Sequence, residues 1–164
     1  MVTLARVSPA AGECLRAGRR PPGLSVPDDY PTEFSAGIGE AALKGQELGP
    51  FFVRRVADGL VVGEIGGAVV EPRTAEIGYA IVDSCAGRGY ASAAVRELTA
   101  LARETAGVER LVAHAPLERP ASSRVLEKAG FSPAGERDDE HEGDVVRVRR
   151  WELDLRPTRR AAAT

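Results

Sequence analysis

The segment from residue 76 to residue 102, EIGYAIVDSCAGRGYASAAVRELTALA, constrains the fold more than any other part of the chain. Its opening reads as an apolar strand. After Gly89, residues Ala91, Ala94, Val95, Leu98, Leu101 and Ala102 recur at three- and four-residue steps, the spacing of one helix face. A strand must therefore hand over to a long helix through a turn that holds Gly87 and Gly89. A helix N-terminus carries unpaired N–H groups and about half a positive charge, and glycines let a phosphate approach the backbone without a Cβ in the way. The segment predicts an anion site on the amides of this turn. Arg88 adds a charge-assisted donor and Ser92 a hydroxyl in the first helical turn.

Two nucleotide-binding loops share this outline and fit less well. A Walker loop ends in Gly-Lys-Ser or Gly-Lys-Thr, which is absent here. A dinucleotide fold reads Gly87-x-Gly89-x-x-Ser92 and wants an acidic residue at the end of the next strand, whereas Glu109 stands at its beginning.

Around this segment the chain reads as one α/β domain. Residues 2–7 alternate like a half-buried strand, and residues 10–17 can follow as a short helix. Residues 18–31 hold four prolines and two glycines, which predicts an ordered loop. Residues 32–43 are expected as a helix weakened by Gly37 and Gly39. Residues 51–56, 60–67 and 76–82 read as strands, and the turn Asp58-Gly59 makes the first pair antiparallel. Past the long helix come a strand at 108–115, a helix at 121–129 closed by Gly130, and strands at 131–136 and 145–153. This order implies a single domain over residues 1–156, a mixed and mostly antiparallel sheet flanked by helices. Residues 157–164 are expected to form a disordered tail.

Composition narrows the function classes. Hydrophobic residues make up 43% of 164 and charged residues 28%, with a net charge of -2, an ordinary globular balance that argues against nucleic acid as the main partner. Arg147, Arg149, Arg150, Arg156, Arg159 and Arg160 cluster late in the chain and read as a solvated strand face running into the tail. Cys14 and Cys85 have neither metal-ligand spacing nor a histidine nearby, so no metal and no disulfide framework is expected, and a reducing cytoplasmic setting fits. Residues 1–15 lack the flank and apolar run of a signal peptide, and no stretch has the ~18 apolar residues of a membrane span.

Two separated motifs carry a family resemblance. Ala86-Gly87-Arg88-Gly89-Tyr90-Ala91 is similar to the GNAT acyl-CoA signature, Arg/Gln-x-x-Gly-x-Gly/Ala, and Ser122 to Phe131, SSRVLEKAGF, resembles that family's later helix ending in Gly-Phe. The resemblance covers roughly residues 53–155 and leans toward the ribosomal-protein N-terminal acetyltransferase branch. It implies an acetyl-CoA or other acyl-CoA co-substrate whose pyrophosphate sits on the amides around Gly87, Arg88, Gly89, Tyr90, Ala91 and Ser92. The pantetheine arm is expected along the strand edge at Ile81 and Val82. Two positions depart from the pattern: Ala86 replaces the usual Arg or Gln, and Arg119 stands where related enzymes often carry Asn.

The chemistry that this resemblance implies needs a proton acceptor, because only a neutral amine attacks a thioester. Neutralising a lysine side chain at pH 7.5 costs about 4 kcal/mol, whereas an α-amine costs well under ~1. Ala75-Glu76-Ile77-x-Tyr79 resembles the family strand whose glutamate is a general base, so Glu76 is the candidate base; a substrate anchor and a solvated strand end are its other readings. Asp139 and Glu140, expected in a loop before the last strand, resemble an acidic position used in the ribosomal-protein branch, and a charged hairpin explains them as well. Ser122 matches a serine proposed to protonate the leaving thiolate, and an N-cap explains it equally. His114 faces either the acceptor or the packing of its strand.

The expected function is direct ternary-complex transfer of an acyl group, an acetyl foremost, to an amine-bearing small molecule or a protein or peptide, with a homodimer left open. No Cys-His pair favours an acyl-enzyme step. A non-catalytic acyl-CoA sensor on the same fold is the second reading.

Overall fold

The computed structural model describes residues 1–141 and 143–156. The expected tail, 157–164, lies outside the described residues. Seven strands form one sheet in the order β1-β2-β3-β4-β5-β7-β6: β1 Val2–Arg6, β2 Phe51–Arg55, β3 Val61–Glu71, β4 Thr74–Ile81, β5 Arg110–Pro116, β6 Ser132–His141 and β7 Asp144–Asp154. Every neighbouring pair is antiparallel except β4 and β5. The helices are α1 Pro9–Arg16, α2 Ser35–Leu43, α3 Tyr90–Glu104 and α4 Pro120–Lys128. This is the mixed, mostly antiparallel α/β sheet that the order of elements implied.

The long helix forms where the periodicity put it, burying Ala94, Val95, Leu98 and Ala102. It lies against β1, β3 and β4 and touches α4, which covers β5. Helix α2 rests on β3 and packs against α1. Gly39 explains itself there: a Cβ would sit 2.7 Å from the Arg16 N and closer still to the Gly12 carbonyl oxygen, so the two helices touch through glycine backbone. The helix-weakening cost assigned to Gly39 is exchanged for this close approach.

Two expectations change in the second half. The last hairpin is longer than its apolar pattern, because β6 reaches His141. Asp139 and Glu140, expected in a loop, are strand residues paired with Val146 and Val145. A run of charges with no apolar face, on an exposed edge strand, hid it. Arg149 and Arg147 bond Glu136 and Asp138 across this hairpin at 2.7 and 3.1 Å, which agrees with a solvated strand face and adds little stability.

The feature that positions the site is the parallel pair. Its pairing runs from Thr74 opposite Arg110 to Glu76 opposite Val112 and then stops, although β4 continues to Ile81 and β5 to Pro116. The strands part beyond Glu76 and leave a wedge in the middle of the sheet.

Candidate active site

At the far end of β4 the chain makes a single 3-10 turn, Asp83–Cys85, and enters α3. Gly87 and Gly89 have φ of 76° and 82°, the left-handed region that side chains resist. Gly89 is the N-cap of α3, and no side chain caps the helix. The Ala93 amide bonds Gly89 O at 3.1 Å, so the amides of Tyr90, Ala91 and Ser92 have no acceptor within the helix. A Cβ on Gly87 or Gly89 would meet nothing within 4 Å, so the space above the turn is open. Uncapped amides, open space and exposed Arg88 fit a pyrophosphate.

Two supports of this turn went unread in the sequence. Arg55, at the end of β2, donates to the Tyr90 hydroxyl at 3.4 Å while Asp58 grips its guanidinium at 2.9 and 2.6 Å. Bonds from Arg55 and the Leu60 N–H hold the Asp58 carboxyl down at about 2. The Ser84 N–H and hydroxyl both donate to Asp29, at 2.9 and 2.7 Å, which ties the proline-rich loop to the turn. The bonds from Ser84 hold the Asp29 carboxyl below the usual carboxylate range.

The wedge leaves the β5-facing edge of β4 unpaired past Glu76, and Ile81 lies on that stretch, paired on its other side with Gly63 of β3. Val82 is different. Its N–H bonds Val62 O and its carbonyl accepts from Cys85 N, both at 2.9 Å, so its N–H is spent and the carbonyl's second lone pair is what it has left for a pantetheine arm.

Glu76 stands at the point where the strands part. Its Oε1 lies 2.8 Å from Nδ1 of His114 on β5, with the His114 side chain 9% exposed and Glu76 40%. His114 Nε2 is buried without a partner. A proton on Nε2 would be a buried unsatisfied donor, costing about 1–3 kcal/mol, so the neutral ring carries its proton on Nδ1 and donates it to Glu76. On the same face Gly66 lies opposite Gly78, and Gly78 is exposed with nothing within 4 Å of a Cβ position. Glu76 therefore borders a trough that is open over Gly78 and closed at Gly66, where a Cβ would meet Pro50 at 3.1 Å.

Ser122 lies in the first turn of α4, half-buried, and is not a cap: the N-cap is Arg119, with Pro120 starting the helix. The capping reading of Ser122 falls, because Pro120 takes the first helical position and Ser122 is the third, inside the helix. The Ser122 carbonyl accepts from the Tyr79 hydroxyl at 3.2 Å, joining β4 to α4. Burial pushes the Tyr79 hydroxyl up to about 12. Asp139 sits on the outermost strand, on the part of the hairpin beyond Pro116, and its side chain is half exposed. No contact joins it to Glu76 or Ser122 among the described residues.

The residue most clearly missed is Glu64 of β3, 1% exposed and on the same face as Glu76. It accepts a 2.5 Å bond from the Tyr30 hydroxyl. Desolvation raises its pKa, against the lowering effect of the Tyr30 and Ser35 hydroxyls. A single acid inside the apolar run VVGEIGG was the signal.

This arrangement agrees with what the chain is similar to. A family model described as an acetyltransferase (GNAT) domain matches residues 22–132. The chain belongs to the GNAT acetyltransferase family, and it is an acyl-CoA-dependent N-acyltransferase. Among solved structures, a GNAT-family acetyltransferase from Bacillus anthracis is 17% identical with a TM-score of 0.71, over 94% of this chain and 95% of that one. The microcin C7 self-immunity acetyltransferase, solved with acetyl-CoA and AMP, is 14% identical with a TM-score of 0.69, over 93% and 92%. The ribosomal L7/L12 α-N-protein acetyltransferase is 15% identical with a TM-score of 0.68, over 94% and 93%. No curated protein matches the chain.

Proposed function

We propose that the protein transfers an acetyl group from acetyl-CoA to a primary amine in a ternary complex, with Glu76 as the base. The observation that carries this reading is the parting of β4 and β5, which has an uncapped helix N-terminus at one end and a half-exposed carboxylate at the other. The amides of Tyr90, Ala91 and Ser92, with Arg88, hold the pyrophosphate, and Ile81 borders the pantetheine arm. Glu76 takes a proton from the ammonium, directly or through one water. The amine nitrogen then bonds the acetyl carbon; as the carbon–sulfur bond breaks, the Ser122 hydroxyl gives its proton to the thiolate and takes up the proton that the nitrogen sheds, so the hydroxyl is restored, and Glu76 releases its proton to solvent. Asp139 is the weaker candidate for the base, since it lies on the outermost strand. A cytoplasmic setting belongs to the same proposal, and the free thiols of Cys14 and Cys85 are compatible with it.

Glu76→Gln keeps the shape and a hydrogen-bonding oxygen but accepts no proton. With a short peptide carrying a free α-amine and one lysine, and acetyl-CoA saturating, turnover read as released CoA should fall by about 10²- to 10⁴-fold near neutral pH. The deficit should shrink as pH rises and more of the amine is neutral. CoA affinity by calorimetry should hold. A change confined to KM would make Glu76 an anchor, and no change in either constant would remove it from the reaction.

A further inference from the structure

We infer that His114 is a positioning residue for the acyl transfer: its Nδ1–H holds the Glu76 carboxylate in the one orientation that turns its second oxygen to the open trough. The inference rests on Glu76 as base and adds a residue to that reading.

Three observations carry it. The 2.8 Å bond spans the wedge, since backbone pairing ends at Glu76 and Val112 while His114 is two residues further along β5. The contact is a side-chain bridge between strands that the ladder no longer joins. Next, the two partners differ in freedom. His114 is nine-tenths buried and fixed, whereas Glu76 is 40% exposed on a side chain with many rotamers, so the ring sets the carboxylate and not the reverse. Oε2 of Glu76 has no partner among the described residues and is the oxygen left to take a proton. Finally, His114 sits on a sheet face that it shares with Val112, 0% exposed, and with Arg150 and Glu152 of β7, which bond each other. An imidazole buried there with Nε2 unpartnered does its polar work through Nδ1 alone. Arg150, opposite His114 on β7, is engaged with Glu152 at 2.9 Å, so His114 is the donor that Glu76 has.

Asparagine and glutamine separate positioning from bulk. The side-chain nitrogen of Asn can stand where Nδ1 stands, and that of Gln where Nε2 stands. With the same peptide and saturating acetyl-CoA, His114→Asn should stay within about threefold of wild type, while His114→Gln and His114→Ala should lose about 10- to 100-fold in kcat with KM and CoA affinity little changed. In a Glu76→Gln background the His114→Ala change should add little. A Gln variant as fast as the Asn variant, or an Ala variant at the wild-type rate, overturns the inference. If Glu76→Gln is slow while all three His114 variants are normal, positioning is lost and the base stands. If Glu76→Gln is itself normal, the base is lost and the inference with it. Should the variants fail to fold, nitrogen-15 spectra of the wild-type imidazole decide: the Nδ1–H tautomer is expected, and an Nε2–H tautomer overturns it.

Discussion

The amides of Tyr90, Ala91 and Ser92 come from three consecutive residues, whereas Glu76 and His114 come from β4 and β5 and meet only when the sheet forms. The phosphate end is thus built from backbone within one segment. The acceptor end is built from side chains whose approach depends on strand order, on the register of a parallel pair, and on where that pairing stops. In the proposed reading the first end depends on the backbone φ of one glycine, and the second on the geometry of Glu76 and His114 across the parted strands.

The comparison breaks most severely at Gly89. Its φ of 82°, at the uncapped N-cap of α3, lies in the left-handed region that a β-branched residue resists, although a Cβ there would meet nothing within 4 Å. Gly89→Val should abolish CoA binding in a calorimetric titration while the far-ultraviolet spectrum stays that of the wild type. Full CoA affinity in the folded variant would remove the anion site from this turn. Arg88→Ala tests the side-chain share of the same end. Arg88 is exposed, so its loss should weaken CoA by only about tenfold at low salt, and by less at high ionic strength. A larger loss than that of Gly89→Val would reverse the assignment of backbone over side chain.

This difference in construction is also why the two ends were unequally legible. Gly87, Gly89 and the helix that follows stand in one run of sequence, and the periodicity from Ala91 to Ala102 announced the helix that α3 is. Glu76 could be singled out by its place before the turn. Its partner could not, because the pairing of Glu76 with Val112 crosses a whole helix, and a parallel register leaves no turn to read it from. The difference between Ile81 and Val82 was hidden for a related reason: strand pattern does not say that the Val82 N–H is already spent on Val62 and that its carbonyl already accepts from Cys85. The cap alternative to the acid role of Ser122 rested on hydroxyls often standing before a helix, and the proline two residues earlier carried the better signal. The hairpin charges defeated the alternation rule, since β6 is exposed from Ser132 through Glu140 and has no apolar face to show.

Glu64 sharpens the comparison by the smallest effect, on stability and its pH dependence. Buried on the sheet face that Glu76 shares and bonded by the Tyr30 hydroxyl, it pins the end of the proline-rich loop to β3. Desolvation favours its neutral form, so its folded pKa stands above the unfolded carboxylate value. The folded state then holds a proton that the unfolded state releases. The stabilisation that follows is complete below the ordinary carboxylate range and is lost as pH rises through the raised value. Glu64→Gln keeps an acceptor for Tyr30 and has no proton to lose. Its second buried N–H should cost about 1 kcal/mol or somewhat more at acid pH, and its urea midpoint should vary less with pH than that of the wild type. The two stability curves should approach each other as pH rises from 5 to 9. Parallel curves across that range would mean that Glu64 carries the same charge folded and unfolded. In that case the loop is held by an ionised carboxylate accepting from Tyr30 and Ser35, and Tyr30→Phe, which strips that charge of a donor, should cost more than Glu64→Gln.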